Sequence, residues 1–160
     1  MVYNRSLLLL FISLCCFYLC GCMSQNFYAN TPEGYRTLAI KYAETGEVDK
    51  AIQLLNNTIE AYGSNDTNAV LITTALGEIY RDYSKDYTMA LRTFERAYMD
   101  YPSTLEAPNA LFQAGKISED SFRDFSKARQ SYKKIMDIYP TAPIRDQAYL
   151  EYHRLLQMGY

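Results

Sequence analysis

Four cysteines, Cys15, Cys16, Cys20 and Cys22, are the chain's whole supply of thiols, and all stand before residue 23 of 160. Clustered thiols can ligate a metal, cycle through a disulfide or accept a covalent group. The first two roles need a thiolate in a polar or electropositive setting. These thiols instead lie in the apolar run from Leu7 to Cys22, broken only by Ser13, so a Cys-x-Cys metal or redox site is a weak reading. Beyond residue 22 a disulfide framework or cysteine metal site is excluded. The single histidine, His153, stands between Tyr152 and Arg154 and reads as a surface residue of a last helix. Glu78 with Asp82, and Glu119 with Asp120, are paired acids of the kind that run acid–base chemistry or hold calcium. No glycine-rich phosphate loop, nucleophile elbow or complete ligand set accompanies them, so they read as solvated helix faces. Neither a cofactor, a metal nor an enzymatic activity is expected. Basic and acidic residues number 16 and 18, without the basic stripe that nucleic acid requires.

What positions these residues divides at Cys22. "MVYNR" carries one cation, Arg5, and the apolar run that follows is 16 residues long. As a helix it spans about 24 Å, short of the ~30 Å hydrocarbon core. A short basic start and a short apolar run describe a secretory leader. Its last residues, Leu19, Cys20, Gly21 and Cys22, resemble the bacterial lipobox: an aliphatic residue, two small residues, then an obligatory cysteine. The resemblance implies cleavage after Gly21 and acyl chains, of the palmitate type, on Cys22. Residues 1–21 would leave, and 22–31 would form a polar tether. Met23, where sorting to the inner membrane favours Asp, resembles the pattern of lipoproteins sent to the outer membrane, facing the periplasm. A plain leader with an incidental cysteine and an uncleaved anchor are the competing readings.

Beyond the tether the chain repeats. "DYTMALRTFERAYMDYP" (86–102) and "DFSKARQSYKKIMDIYP" (124–140) share an Asp–aromatic start, an alanine fifth, an aromatic ninth and a final Tyr-Pro. A weaker copy, "EVDKAIQLLNNTIEAYG" (47–63), precedes them, and the offsets are 39 and 38 residues. Each follows a run with small or apolar residues at i, i+3, i+4 and i+7, one face of a helix: Tyr35, Leu38, Ala39 and Tyr42; Thr73, Leu76, Gly77 and Tyr80; Leu111, Ala114, Gly115 and Ser118. Thr31-Pro32 supplies an N-cap and first-turn proline. Ser103 with Glu106 has the spacing of a capping box, Gly46 and Gly63 stand where helices end, and Pro102 and Pro140 stop the second helices. The small residues Ala39, Gly77 and Gly115 are expected to face Ala51, Ala90 and Ala128 across each helix pair, with Phe94 and Tyr132 filling the remaining space.

This layout resembles the tetratricopeptide repeat family over about residues 32–157. The period is longer than the usual ~34 residues, with one extra residue in the turns "DYSKDY" and "DSFRDF" and more between repeats. The "YP…AP" links resemble the BamD-like, periplasmic lipoprotein subset. The implied fold is all-α: a right-handed superhelix of three helix–turn–helix repeats (about 32–63, 67–102 and 105–140) and a capping helix (about 143–157), within a domain of 32–160. The implied function is protein binding on the concave face. Carried over slot by slot, that face holds Arg36 and Ile40, with Glu33 and Glu44; Leu71, Thr74, Glu78 and Arg81, with Asp82; and Asn109, Phe112 and Lys116, with Glu119 and Asp120. Leu150 and Arg154 continue it on the last helix. The expectation is a lipid-anchored scaffold that binds envelope proteins through a segment carrying some positive charge. A small-molecule-binding lipoprotein serving a transporter is the alternative.

Overall fold

The computed structural model describes residues 31–63 and 67–160. The leader, Leu19, Cys20, Gly21, Cys22 and the tether to residue 30 lie outside the described residues. Within them the regular structure is all helical: α1 (Pro32–Glu44), α2 (Val48–Tyr62), α3 (Ala69–Ile79), α4 (Tyr87–Asp100), α5 (Ala107–Asp120), α6 (Phe125–Ile138) and α7 (Arg145–Gln157). Each helix packs on the next, and α1 also packs on α3. Short links between packed neighbours make consecutive helices antiparallel, and the stack is an α-solenoid.

The helix ends follow local chemistry. Thr31 Oγ1 accepts from the Gly34 N–H at 3.1 Å, with proline in the first turn of α1. Asp86 and Asp124 cap α4 and α6, each accepting at 2.9 Å from the N–H three residues on. The capping box expected at Ser103 and Glu106 does not form: α5 starts at Ala107, and Glu106 at its N-cap makes no side-chain cap bond. The reason is Pro108, which has no N–H for such a cap to bind. Thr104 instead donates to the Tyr101 carbonyl at 2.8 Å.

The extra residue of repeats two and three has a structural address. In repeat one the Glu47 N–H reaches the Tyr42 carbonyl at 2.8 Å, across Gly46 at φ 85°. That is the bond of a Schellman end. In the other repeats the bond spans one residue more: Asp86 N–H to Tyr80 O (2.9 Å) and Asp124 N–H to Ser118 O (2.8 Å). In repeat two the surplus is taken up by a π-helical turn, Tyr80–Ser84. Lys85 and Arg123 then occupy the left-handed region, both at φ 57°, where a side chain costs about 1–2 kcal/mol. Glycine relieves this strain but loses more entropy on folding, so Lys85→Gly is expected to stabilise by no more than about 0.5–1 kcal/mol. A rise in the urea midpoint at unchanged slope is the check.

The interior is built from small residues and rings. Ala39, Ala51, Ala90 and Ala128 are fully buried, as are Phe94 and Tyr132. Sequence symmetry set the glycines against alanines, but the rings come closest to them. A Cβ on Gly77 would meet Phe94 Cζ at 2.9 Å, and one on Gly115 would meet Tyr132 Cε1 at 2.8 Å. The glycines are seats for the aromatic of the following helix. Buried Thr73 and Ser118 return their hydroxyls to the carbonyls of Ala69 and Ala114, both at 2.8 Å, so neither is left unsatisfied.

Helix α7 closes the third core cluster with Ala148 and Leu155. Its outer face is less polar than a solenoid end usually is, because Tyr149, Leu150 and Leu156 are exposed there. His153 is only half-buried, its ring 4.2 Å from that of Tyr149 and 5.3 Å from that of Tyr152.

Candidate protein-binding groove

The first helices of the repeats, α1, α3 and α5, carry the candidate groove. A cleft of about 300 Å³ is lined by Arg36 of α1, by Leu71, Thr74 and Glu78 of α3, and by Asn109, Ala110 and Gln113 of α5, with Glu106 at its rim and Phe94 behind. Five of the expected residues therefore meet there: Arg36, Leu71, Thr74, Glu78 and Asn109. An adjoining hollow of about 530 Å³ holds Arg81 and Lys116, with Tyr87, Ile117, Asp120 and Ser121. Gln113 stands on the wall of both.

Two expected groove residues lie elsewhere. Phe112 is buried in the third core cluster, its ring 5.4 Å from that of Tyr132. Ile40 is partly buried against the first cluster. Glu119, expected on a solvated face, is buried. Its carboxylate accepts from the Tyr132 hydroxyl at 3.2 Å and pairs with Arg154 of α7. Glu119 and Arg154 therefore join α7 to the third repeat. Gln113, missed from sequence, shares a helical stripe with Asn109, Lys116 and Asp120, and that stripe was the available signal.

The groove's cations are compensated from inside. Arg36 Nη2 lies 3.0 Å from Glu78 Oε2, a bridge between α1 and α3. Arg81 donates from Nε and Nη2 to both oxygens of Asp82 at 2.7 Å and from Nη1 to Gln113 Oε1 at 2.5 Å. These bonds to Arg81 hold the Asp82 carboxyl below its usual range. Lys116 pairs with Asp120 at 3.3 Å. Half-exposed pairs of this kind contribute about 0–1 kcal/mol each, so their main effect here is on charge. Glu106 and Asn109 make no side-chain hydrogen bond or ion pair with the other described residues. The cleft thus presents one uncompensated carboxylate beside a free amide.

Burial, with the charge of Glu119 next, pushes the Tyr132 phenol far above its usual value of 10.0. Burial raises Tyr139 in the same direction. Below that usual value, folded and unfolded chains both hold the proton. Above it, the unfolded chain releases the proton and the folded chain keeps it, so stability falls as pH rises. The expected slope is about 1.4 kcal/mol per pH unit for each such group. Tyr132→Phe removes one of them. Urea titrations between about pH 8 and pH 11 are expected to show a shallower alkaline loss in the variant than in the wild type.

The class of protein that this architecture defines is an α-solenoid of the tetratricopeptide type. Residues 109–142 match a family model described as tetratricopeptide repeat. That segment runs from the first turn of α5 through α6. Among solved structures, "Crystal structure of MamA" is similar, with a TM-score of 0.51 and 21% identity over 80% of this chain and 78% of that one. At that identity the likeness is one of fold. No curated protein matches the chain by sequence.

Proposed function

We propose that this chain is a non-catalytic, lipid-anchored scaffold of the bacterial envelope that binds a segment of a partner protein across α1, α3 and α5. The observation that carries the reading is the cleft in which Glu106 and Asn109 stand unpaired while neighbouring charges cancel. A preordered groove lowers the entropy cost of taking up an extended or helical segment. The free carboxylate favours a segment with a lysine or arginine opposite Glu106, and Asn109 and Gln113, one turn apart, add hydrogen-bonding amides. Acyl chains on Cys22 would confine the protein to a surface, most simply the periplasmic face of the outer membrane, and raise the local concentration of partners there. The acid pairs have structural roles, which leaves them little part in catalysis: Asp82 and Asp120 in ion pairs, and Glu119 in the joint to α7. A small-molecule site would need an enclosed apolar pocket, whereas both hollows on this face open to solvent and carry charged rims.

The test is affinity purification from crosslinked host envelopes with wild type, Glu106→Lys and Asn109→Ala/Gln113→Ala. These surface changes leave the fold intact, which far-UV circular dichroism checks. Phe112 is unsuitable, because its truncation would open the core. Reversing the charge at the cleft is expected to weaken partner capture by about tenfold or more, about 1.4 kcal/mol. Recovery of the same proteins with all three chains overturns the groove reading. An unmodified Cys22 in the mass spectrum of the native protein overturns the anchor.

A further inference from the structure

Antiparallel alternation gives the solenoid two edges. One gathers the starts of α1, α3, α5 and α7 and the ends of α2, α4 and α6. Its composition is confirmed by contact: Tyr35 in the first turn of α1 shares a cleft with Ala61 and Tyr62 at the end of α2. The Tyr139 hydroxyl donates to the Pro102 carbonyl at 2.6 Å, tying the two later inter-repeat links together. The chain enters the solenoid at this edge, since Thr31 caps α1. The other edge holds the C-terminal residue: Tyr160 stacks on Phe125 at 4.0 Å.

The entry edge is also where large apolar side chains stand in solvent. Leu105 in the α4–α5 link is 86% exposed, Met99 in the last turn of α4 64%, and Ile138 at the end of α6 50%. No fold-internal role explains a leucine so fully exposed. The charges nearby are paired with each other, Arg96 with Asp100, Lys133 with Asp137 and Arg145 with Asp146. There is accordingly no basic patch to seek anionic headgroups.

We propose that this edge rests on the bilayer, with Leu105, Met99 and Ile138 entering its interfacial region and the C-terminal edge turned away. The proposal rests on the reading of Cys22 as the anchor. Residues 22–30 reach at most about 30 Å, and they join the domain at the edge that carries the exposed residues. Three apolar side chains are too few to hold a free protein on a membrane. A tether makes the contact intramolecular, so a weak contact suffices. Because the contact is apolar and the local charges are paired, it is insensitive to salt. Its consequence is orientation: the helices stand off the membrane, and the groove opens sideways to partners in the periplasm.

The test places a benzoylphenylalanine photocrosslinker at Leu105, or at Phe122 on the opposite edge, which is also exposed. The acylated full chain is reconstituted into phosphatidylethanolamine–phosphatidylglycerol vesicles. Lipid adducts at position 105 are expected to exceed those at 122 on the order of tenfold, at low and high salt alike. Equal labelling at the two positions, or adducts at 105 to protein alone, overturns the proposal. The same pair is measured in Cys22→Ser chains beginning at residue 22 and held by an N-terminal histidine tag on nickel-chelating vesicles. There too, excess labelling at 105 supports the edge and equal labelling overturns it. An unmodified Cys22 in the native protein's mass spectrum counts against the anchor alone, so the two failures are distinguishable.

Discussion

Phe94→Ala is expected to lower the stability of the domain by about 3–5 kcal/mol, the range for truncating a buried aromatic. The position joins more of the structure than a typical core residue. Its ring is fully buried in the second core cluster, fills the seat left by Gly77, and lies 5.8 Å below the Arg81 guanidinium. It also stands behind the cleft between α3 and α5. Truncation removes the ring contacts and leaves a cavity that rigid helices cannot close. A domain of this size has only about 5–15 kcal/mol in hand, so the loss takes a large part of it. Urea unfolding followed by circular dichroism measures the effect as a shift of midpoint at constant slope. A loss below about 1 kcal/mol would contradict the packing described here. Groove binding is expected to weaken with stability, because the floor of the cleft moves.

Gly115→Leu is expected to destabilise by about 2–3 kcal/mol even though leucine is the better helix former by nearly 1 kcal/mol. The first atom of any side chain meets Tyr132 Cε1 at 2.8 Å and Ser131 Cβ at 3.2 Å. Tyr132 cannot retreat: it is fully buried and its hydroxyl is held by Glu119. Gly115→Ala sets the same overpacking against the same propensity gain and is expected to cost less. Its cost should shrink further when Tyr132 is replaced by leucine, a coupling of about 0.5–3 kcal/mol in a double-mutant cycle. Strictly additive effects would show that the ring and the glycine do not share the space.

Helix order and the position of the repeats were legible in sequence because both are local. Period, caps and prolines lie within a turn of the residues they control, and they placed helices that the structure contains. Two features at that scale were misjudged. The capping box at Ser103 failed because Pro108 removes the donor it would have served. The extra turn residue was visible, but its resolution through a π-helical turn, with Lys85 and Arg123 left-handed, was not.

The groove was legible only in part, and the error has an angular form. At 100° per residue, Asn109, Gln113, Lys116 and Asp120 lie within about 60° of one another on α5, while Phe112 and Glu119 lie some 60–80° to one side. A helical wheel shows both arcs and does not say which one the next helix covers. Helix α7 covers the second, which turns Phe112 into core and Glu119 into a buried joint with Arg154.

By itself the sequence determined an all-helical, threefold repeated chain with small residues at the helix crossings and a leader that ends in a lipobox-like Cys22. These follow from periodicity and short-range chemistry. Tertiary structure alone decided that the glycines seat rings, that Phe112 is core, that the cleft's cations are neutralised while Glu106 and Asn109 stay unpaired, and that Leu105 stands exposed at the edge where the chain enters. Each of these depends on which surfaces meet across residues far apart in the chain, and that is set by how successive helix pairs stack.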